Sequence, residues 1–447
     1  MNGNNPDSRS APGPKGLPLI GNVLDLRGNM LDVLTNIHRE FGDLVKFRVA
    51  HHQYYSLNHP DFAKHVLISN KDNYEKDGRS SKQIRLLAGQ SLLTDNGDSW
   101  YHKRRLLQNT FRLDTVKKFK DVVVSESNLL LDNWRNVNGP IDIHSAMMHL
   151  TYQVIGKSLL SEDLTHTTNQ VARSMDISLQ HLYKRIFGFA FPLAIPTVGN
   201  LFFKRERKQL HHIVDEILIQ RKANLDHGAD DLLDKMILAQ QSEDLFDSAW
   251  LRDEVVTLLL AGHETTANAL TWVWYLLAQH PDVEQQVYDE VTRHFDGQVD
   301  DVEKLSNLSY TLKVFYEAIR LYPPIWAIER STREADEIGG YNIAKGSTLF
   351  ISIYTLHRHP EFWQDADQFR PERFDDMRNA SMAYMPFGLG QRMCMGKNFA
   401  IQEAMIVLVY LIQHCRLHLV SDKPVRLEPG ITLRVRDKLM MNVAWRK

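Results

Sequence analysis

Two stretches of the 447-residue chain combine residue types that do chemistry. In "YMPFGLGQRMCMGKNFAIQEA", Cys394 follows Phe387, Gly388, Gly390 and Arg392, and stands two residues before Gly396 at the mouth of an apolar helical run. A helix N-terminus stabilises a thiolate through its free amides and dipole, and thiolate is the form that attacks carbon or binds a metal. The glycines around it permit backbone conformations and close approaches that a side chain would block. The other cysteine, Cys415, reads as a small buried hydrophobe. The second stretch, "LLLAGHETTANALTWVW" (258–274), sets His263, Glu264, Thr265 and Thr266 inside an apolar run. Buried polar groups are costly unless each finds a partner. His-Glu opens a zinc-protease motif, but the second histidine on the same helix face would have to occupy position 267, which is Ala267. What remains is carboxyl and hydroxyl chemistry. A threonine hydroxyl donates and accepts, so it can hold a water, or it can bond back to a carbonyl one turn earlier. Glu264 reads as a relay element or a structural ion-pair member, and His263 as a satisfied neighbour.

Long helices must carry these groups. One runs from an N-cap at Asp247 or Ser248 to His280, where Pro281 follows; it spans roughly 45 Å. Apolar residues recur at three and four through 99–130 and 141–240, another helix ends at Arg320, and an apolar helix covers 397–415. "DLVKFRVA", "HHQYYSLN" and the segment 336–357 read as strands, with a final pair at the C-terminus. The expected fold is mainly α with a minor β region: one domain over 21–447 behind a proline-rich segment, 1–20. "FGFAFPLAIPTVGNLFF" (187–203) is either a packed loop or a lid over an apolar pocket.

Composition excludes several classes. With 43% hydrophobic and 24% charged residues and a net charge of −2, nothing indicates disorder or a nucleic-acid partner. Two cysteines cannot build a disulfide framework, and no signal pattern or uninterrupted apolar span is present. The reading is a cytoplasmic protein with no integral membrane anchor, expected to be a monomer. Its local basic clusters are Lys103-Arg104-Arg105 and 204–208, the latter read as a solvated helix face.

Phe387, Gly390, Arg392, Cys394 and Gly396 match every position of the haem-binding loop of cytochrome P450 enzymes, and the resemblance extends in order along most of the chain. "EAIR" is similar to the family's Glu-x-x-Arg, with Glu317 and Arg320 on one helix face; "FRPERF" supplies Arg373, which in the family joins that pair in a buried network that keeps the thiolate loop in place. "AGHETT" resembles the oxygen-activating segment, and "WYHKR" the family's Trp-x-x-x-Arg. The resemblance implies haem b between the long central helix and the cysteine-loop helix, with Cys394 as the axial iron ligand. It nominates Trp100, Arg104, Arg330 and Arg392 for the propionates, and Phe387, Gly388, Gly396 and Ala261 as further cofactor contacts. Ala261 and Gly262 are expected to be small because the haem face comes close. Lys103 stands where many relatives carry histidine. Thr265 and Glu264 become the catalytic pair that manages protons.

The implied reaction inserts one atom of O2 into a lipophilic substrate such as a fatty acid, terpenoid or steroid. Electrons come from NAD(P)H through a ferredoxin or flavodoxin and its reductase, docking near Lys103–Arg105 and Lys397. Leu86 and Leu87 of the loop "KQIRLLAGQSLL" (82–93), with Leu258, Ala261, Ile325, Ala327 and Ile431, are candidate pocket walls, with Arg85 or Tyr183 as carboxylate holders. A peroxygenase or isomerase, a haem-based sensor and a Cys394-dependent hydrolase are the alternatives. The Glu264-Thr265 pair argues against the first.

Overall fold

The computed structural model describes residues 9–25, 28–49, 52–112, 117–188, 190–223, 231–242, 246–376 and 382–446. Residues 1–8 of the N-terminal segment, Phe189 of the 187–203 stretch and 377–381 lie outside these. In chain order the helices are α1 (Met30–Phe41), α2 (Pro60–Lys64), α3 (Arg79–Ala88), α4 (Gly97–Leu107), α5 (Lys120–Arg135), α6 (Ile143–Leu159), α7 (Thr168–Phe187), α8 (Val198–Ala223), α9 (Leu232–Ser242), α10 (Ser248–Gln279), α11 (Pro281–His294), α12 (Ser309–Leu321), α13 (Ile353–Leu356) and α14 (Lys397–His414). The strands are β1 (Leu44–Val49), β2 (His52–Leu57), β3 (Tyr74–Glu75), β4 (Ile141–Asp142), β5 (Ala327–Thr332), β6 (Asp336–Ile338), β7 (Tyr341–Ile343), β8 (Thr348–Ser352), β9 (Cys415–Leu419), β10 (Leu427–Pro429), β11 (Leu433–Val435) and β12 (Met440–Trp445). Helices dominate, as the periodicity predicts.

The chain forms two compact units, each built from separated segments. The first, 1–82 with 320–394, holds a five-stranded sheet in the order β1-β2-β8-β5-β3. β8 lies at its centre, parallel to β2 and antiparallel to β5, so its residues are buried on both faces. Leu57, Leu349, Ile351, Ile353, Trp363 and Met385 fill its core. The described part of the N-terminal segment meets this sheet: the Lys46 amide donates to the Pro12 carbonyl at 2.7 Å, and Ala11 enters the core.

The second unit, 83–319 with 395–447, is mostly helical. Its spine is α10, 32 residues long, whose N-cap Asp247 accepts from the Trp250 amide and whose C-terminus abuts Pro281. α10 packs along α6 and is buried on nearly every side; Trp272 and Trp274 are among its enclosed residues. No helix among the described residues is long and apolar enough to cross a membrane.

Three local expectations need correction. The C-terminus carries four short strands rather than a pair, split between the β4-β12-β9 sheet and the β10-β11 hairpin. The run expected to stay extended to 357 turns into α13 at Ile353, because the Ser352 hydroxyl caps the Thr355 amide. Residues 82–88, read as part of a loop, are helical, and the chain leaves α3 only at Gly89 (φ +52°).

Candidate functional site

In the first unit the cysteine loop is shaped by its backbone. Gly388 (φ +72°) and Gly390 (φ +70°) occupy the left-handed region, and Gly390–Arg392 makes a 3-10 turn. At Gly390 a Cβ would sit 2.2 Å from the Leu67 carbonyl oxygen, so no other residue fits. The Cys394 amide donates to the Phe387 carbonyl at 2.8 Å, which closes the loop and leaves Cys394 exposed at its end.

Two positive charges accompany the loop. Arg330, on β5, is buried; the loss of water and the nearby charge of Arg392 push its guanidinium down to about 9. Its Nη1 donates to the Glu329 carbonyl at 2.7 Å. The Glu329 carboxylate is engaged by Ser80, whose hydroxyl donates to it at 2.7 Å. A buried guanidinium with the charge of a second, half-buried one near it suits an anion, and the carboxylates of a haem propionate pair have that chemistry.

Arg320 and Arg373 brace the approach to the loop. Arg320 is fully buried and donates to the carbonyls of His357 (2.7 Å), Ala366 (2.8 Å) and Gln368 (3.2 Å), with its guanidinium carbon 5.0 Å from the Trp363 ring. Arg373 donates to the carbonyls of Gln364, Asp365 and again Gln368. Both guanidiniums thus bond main-chain carbonyls, and they share that of Gln368. His357 completes the brace, and no pattern in the sequence marks it. Burial pushes it down to about 3, so it is neutral: Nδ1–H donates to the Arg320 carbonyl and Nε2 accepts from the Met385 amide. Met385 in turn accepts from the Gly388 amide at the base of the loop.

In the second unit the polar segment of α10 is organised by side chains. Thr265 Oγ1 donates to the Ala261 carbonyl at 2.6 Å, the back-bonded geometry, and Ala261 itself is exposed directly after the buried run 254–260. His263 Nδ1–H donates to the Leu259 carbonyl, its ring meets Tyr152 edge-on at 5.7 Å, and burial pushes it down to about 4. It is a satisfied neutral residue. Glu264 is buried, which raises its pKa, and its Oε1 accepts from the Thr432 hydroxyl at 2.6 Å. Glu403, on α14, is a second enclosed acid; burial raises it well above the carboxylate range beside Thr266. Gly262 has a different purpose from the expected one: a Cβ there would lie 2.4 Å from Ile155 Cδ1, so it is small to let α6 and α10 close on each other.

The basic cluster on α4 divides. Trp100 is buried and Arg104 lies over it at 5.9 Å, while Arg105 is exposed. Lys103, read as a docking charge, is buried and bonded to Asp95 at 2.6 Å and to the Gln90 carbonyl at 2.7 Å, so its ammonium is engaged inside the unit rather than presented at the surface. The same corner is pinned to α10. Asp253 accepts from the Gln90 amide, and Glu254, pushed up to about 7 by burial, accepts from the Leu92 amide.

Of the candidate pocket residues, Leu86 and Ile431 in this unit and Ile325 and Ala327 in the first are half-buried. Leu258 is 9% exposed, but Leu87 at 1% is packing rather than pocket wall. Arg85 is engaged with the Thr94 carbonyl at 2.7 Å, and Tyr183, raised to about 12 by burial, rests on Phe187. Residues 190–197 are tied down by Arg185, which donates to the Phe191 carbonyl, and by Asn200, which donates to those of Pro192 and Ile195.

An exposed cysteine on a glycine-shaped loop beside buried guanidiniums, and an acid–hydroxyl pair on a long apolar helix, define a haem-thiolate oxygenase. The cytochrome P450 family model matches residues 11–441, through both units, and the chain belongs to the cytochrome P450 family. It is a monooxygenase with haem held by a cysteine thiolate, supplied with electrons by redox partners and acting on lipophilic substrates. It is 31% identical to cyclooctatin synthase of Streptomyces melanosporofaciens over 427 residues, covering 94% of this chain and 92% of that protein. It is 32% identical to cyclooctat-9-en-7-ol 5-monooxygenase of the same organism over 431 residues, covering 94% and 90%. With pentalenene oxygenase of Streptomyces avermitilis the identity is 29% over 420 residues, covering 92% of each chain.

Proposed function

We propose that this enzyme oxygenates a carbon of a cyclic terpenoid, with Cys394 as the thiolate that holds the iron. The observation that carries the ligand assignment is the contrast between the two thiols. Cys394 is exposed on its loop, whereas Cys415 is buried in β9 and pushed up to about 12. The names of the relatives support the terpenoid class.

Each candidate then has a task. Arg330, Arg392, Arg104 and Trp100 neutralise and hold the propionates; Phe387, Gly388, Gly396 and Ala261 are close contacts of the cofactor. The Glu317, Arg320 and Arg373 set keeps the loop in place. Haem, when bound, supplies O2 activation and C–H oxidation. The chain's own residues bind the substrate against apolar walls that include Leu86, Leu258, Ile325, Ala327 and Ile431. They exclude water and deliver protons through Glu264 and Thr265. A ferredoxin or flavodoxin delivers electrons, drawn by exposed Arg105 and by Lys397 rather than Lys103. The protein acts as a monomer in the cytoplasm.

Carbon monoxide added to the reduced holoprotein should give the strongly red-shifted Soret band of a thiolate-ligated haem, and Cys394→Ser should lose it. Retention of the band in that variant overturns the ligand assignment. Pentalenene serves as the first probe for the terpenoid class. A low-to-high-spin shift and an NAD(P)H-dependent hydroxylated product are expected, and no response to it or to other cyclic terpenes removes that class.

A further inference from the structure

Glu264 is held from one side only. Its Oε1 accepts the Thr432 hydroxyl at 2.6 Å, Thr432 Oγ1 accepts from Asn268 Nδ2 at 3.1 Å, and Asn268 Oδ1 faces His144 Nε2 at 3.1 Å. A hydroxyl has one proton. One Thr432 lone pair takes the amide of Asn268, and the hydroxyl proton goes to Glu264 Oε1, its acceptor among the described residues. The amide is oriented in turn, since its oxygen accepts from the imidazole, which burial keeps neutral. All donors in the chain therefore point toward Oε1. The other oxygen, Oε2, is buried without a hydrogen-bond partner among the described residues.

We propose that Thr432 is a positioning residue for proton delivery: it clamps Glu264 by Oε1 and makes Oε2 the oxygen that carries and hands on the proton, with Asn268 and His144 fixing the direction of the clamp. This rests on the assignment of Glu264 to proton delivery. In one cycle the Oε2–H bond breaks as an O–H bond forms on a water held at the Thr265 hydroxyl, which gives up one of its own protons onward. The carboxylate left behind is stabilised by the short Thr432 bond, and a solvent proton restores Oε2–H with no electron transferred. The other charged groups facing Glu264 are Arg434 on β11, which favours its charged form, and Asp176 on α7, which opposes it. Arg434 bonds Asp176 at 2.6 Å and Glu428 at 2.7 Å, so its field at Glu264 is largely offset. After burial, Thr432 has the strongest influence on Glu264.

The test uses haem-loaded enzyme. The carboxylic acid C=O band of Glu264, identified by its loss in Glu264→Gln, is followed by infrared difference spectroscopy against pH. In parallel, peroxide released per NADPH is measured with a surrogate ferredoxin and reductase. Thr432→Val should raise the protonation midpoint by about one pH unit, since a bond favouring the carboxylate is lost. It should also increase the peroxide yield. Thr432→Ser should restore both, and Asn268→Ala, which leaves the Thr432–Glu264 contact in place, should shift the midpoint the same way by less. A Thr432→Val enzyme with the parent midpoint and peroxide yield shows that Thr432 only packs, and the proposal falls while Glu264 keeps its role. An unchanged peroxide yield in Glu264→Gln removes the reading beneath it.

Discussion

The cysteine loop and the polar segment of α10 reach precision by different physics. In the loop the backbone does the selecting: two glycines with positive φ, one of them against a carbonyl oxygen, with arginines bonded to main-chain carbonyls behind it. In α10 the backbone is an ordinary helix, and the selecting is done by side chains from α6, the β10-β11 hairpin and α10 itself. Substitution should therefore be all-or-none in the loop and graded in the helix.

Gly390→Ala is the hardest test. It places a Cβ on the Leu67 carbonyl and forces alanine to positive φ, so a loss of about 3 kcal/mol or more is expected, with haem retention failing alongside. Normal thermal unfolding and haem content would show that the backbone is not the selector. Histidine titration sharpens the contrast next. The unfolded chain takes up a proton near 6.5 at His357 and His263, while the folded chain does so only near 3 and 4. Stability is therefore complete above the unfolded value and falls as pH drops below it, by about 1.4 kcal/mol per pH unit for each group. His357→Gln and His263→Gln should each flatten the acid limb of denaturant-measured stability by one proton. Only His357→Gln should also loosen the cysteine loop, read as faster haem release.

Smaller effects belong to α10. Gly262→Ala should cost about 1 kcal/mol by overpacking against Ile155, and Ile155→Val in the same chain should recover most of it. Failure of that rescue in a double-mutant cycle would mean that Gly262 is small for another reason. Thr265→Ala removes one bond to the Ala261 carbonyl and should change stability by less than about 1 kcal/mol. Its signature is chemical: haem is retained and more NADPH is diverted to peroxide. Equal product yield per NADPH would remove Thr265 from the catalytic pair.

Legibility followed the same divide. The cysteine motif could be read because its signature residues fall within ten neighbouring positions, where Gly388 and Gly390 answer a local need for positive φ. Lys103 could not be read correctly, since a charge cluster on a helix looks solvated until Asp95 and the Gln90 carbonyl fold over it. Gly262 was assigned to the cofactor because its actual neighbour, Ile155, belongs to another helix. His357 and Thr432 lack any spacing signal; their roles arise from contacts with Arg320, Met385 and Glu264 that are remote in sequence.

The residues alone determined the helical class, the cap and stop of α10, the failure of the zinc reading, the thiolate loop and the acid–hydroxyl pair. Each of these depends on periodicity, on backbone conformation or on side chains a few positions apart. Only the tertiary structure decided which charges are buried, which small residue answers to packing, and which oxygen of Glu264 is held. Those outcomes depend on desolvation and on partners brought together from distant segments, and no local pattern records either.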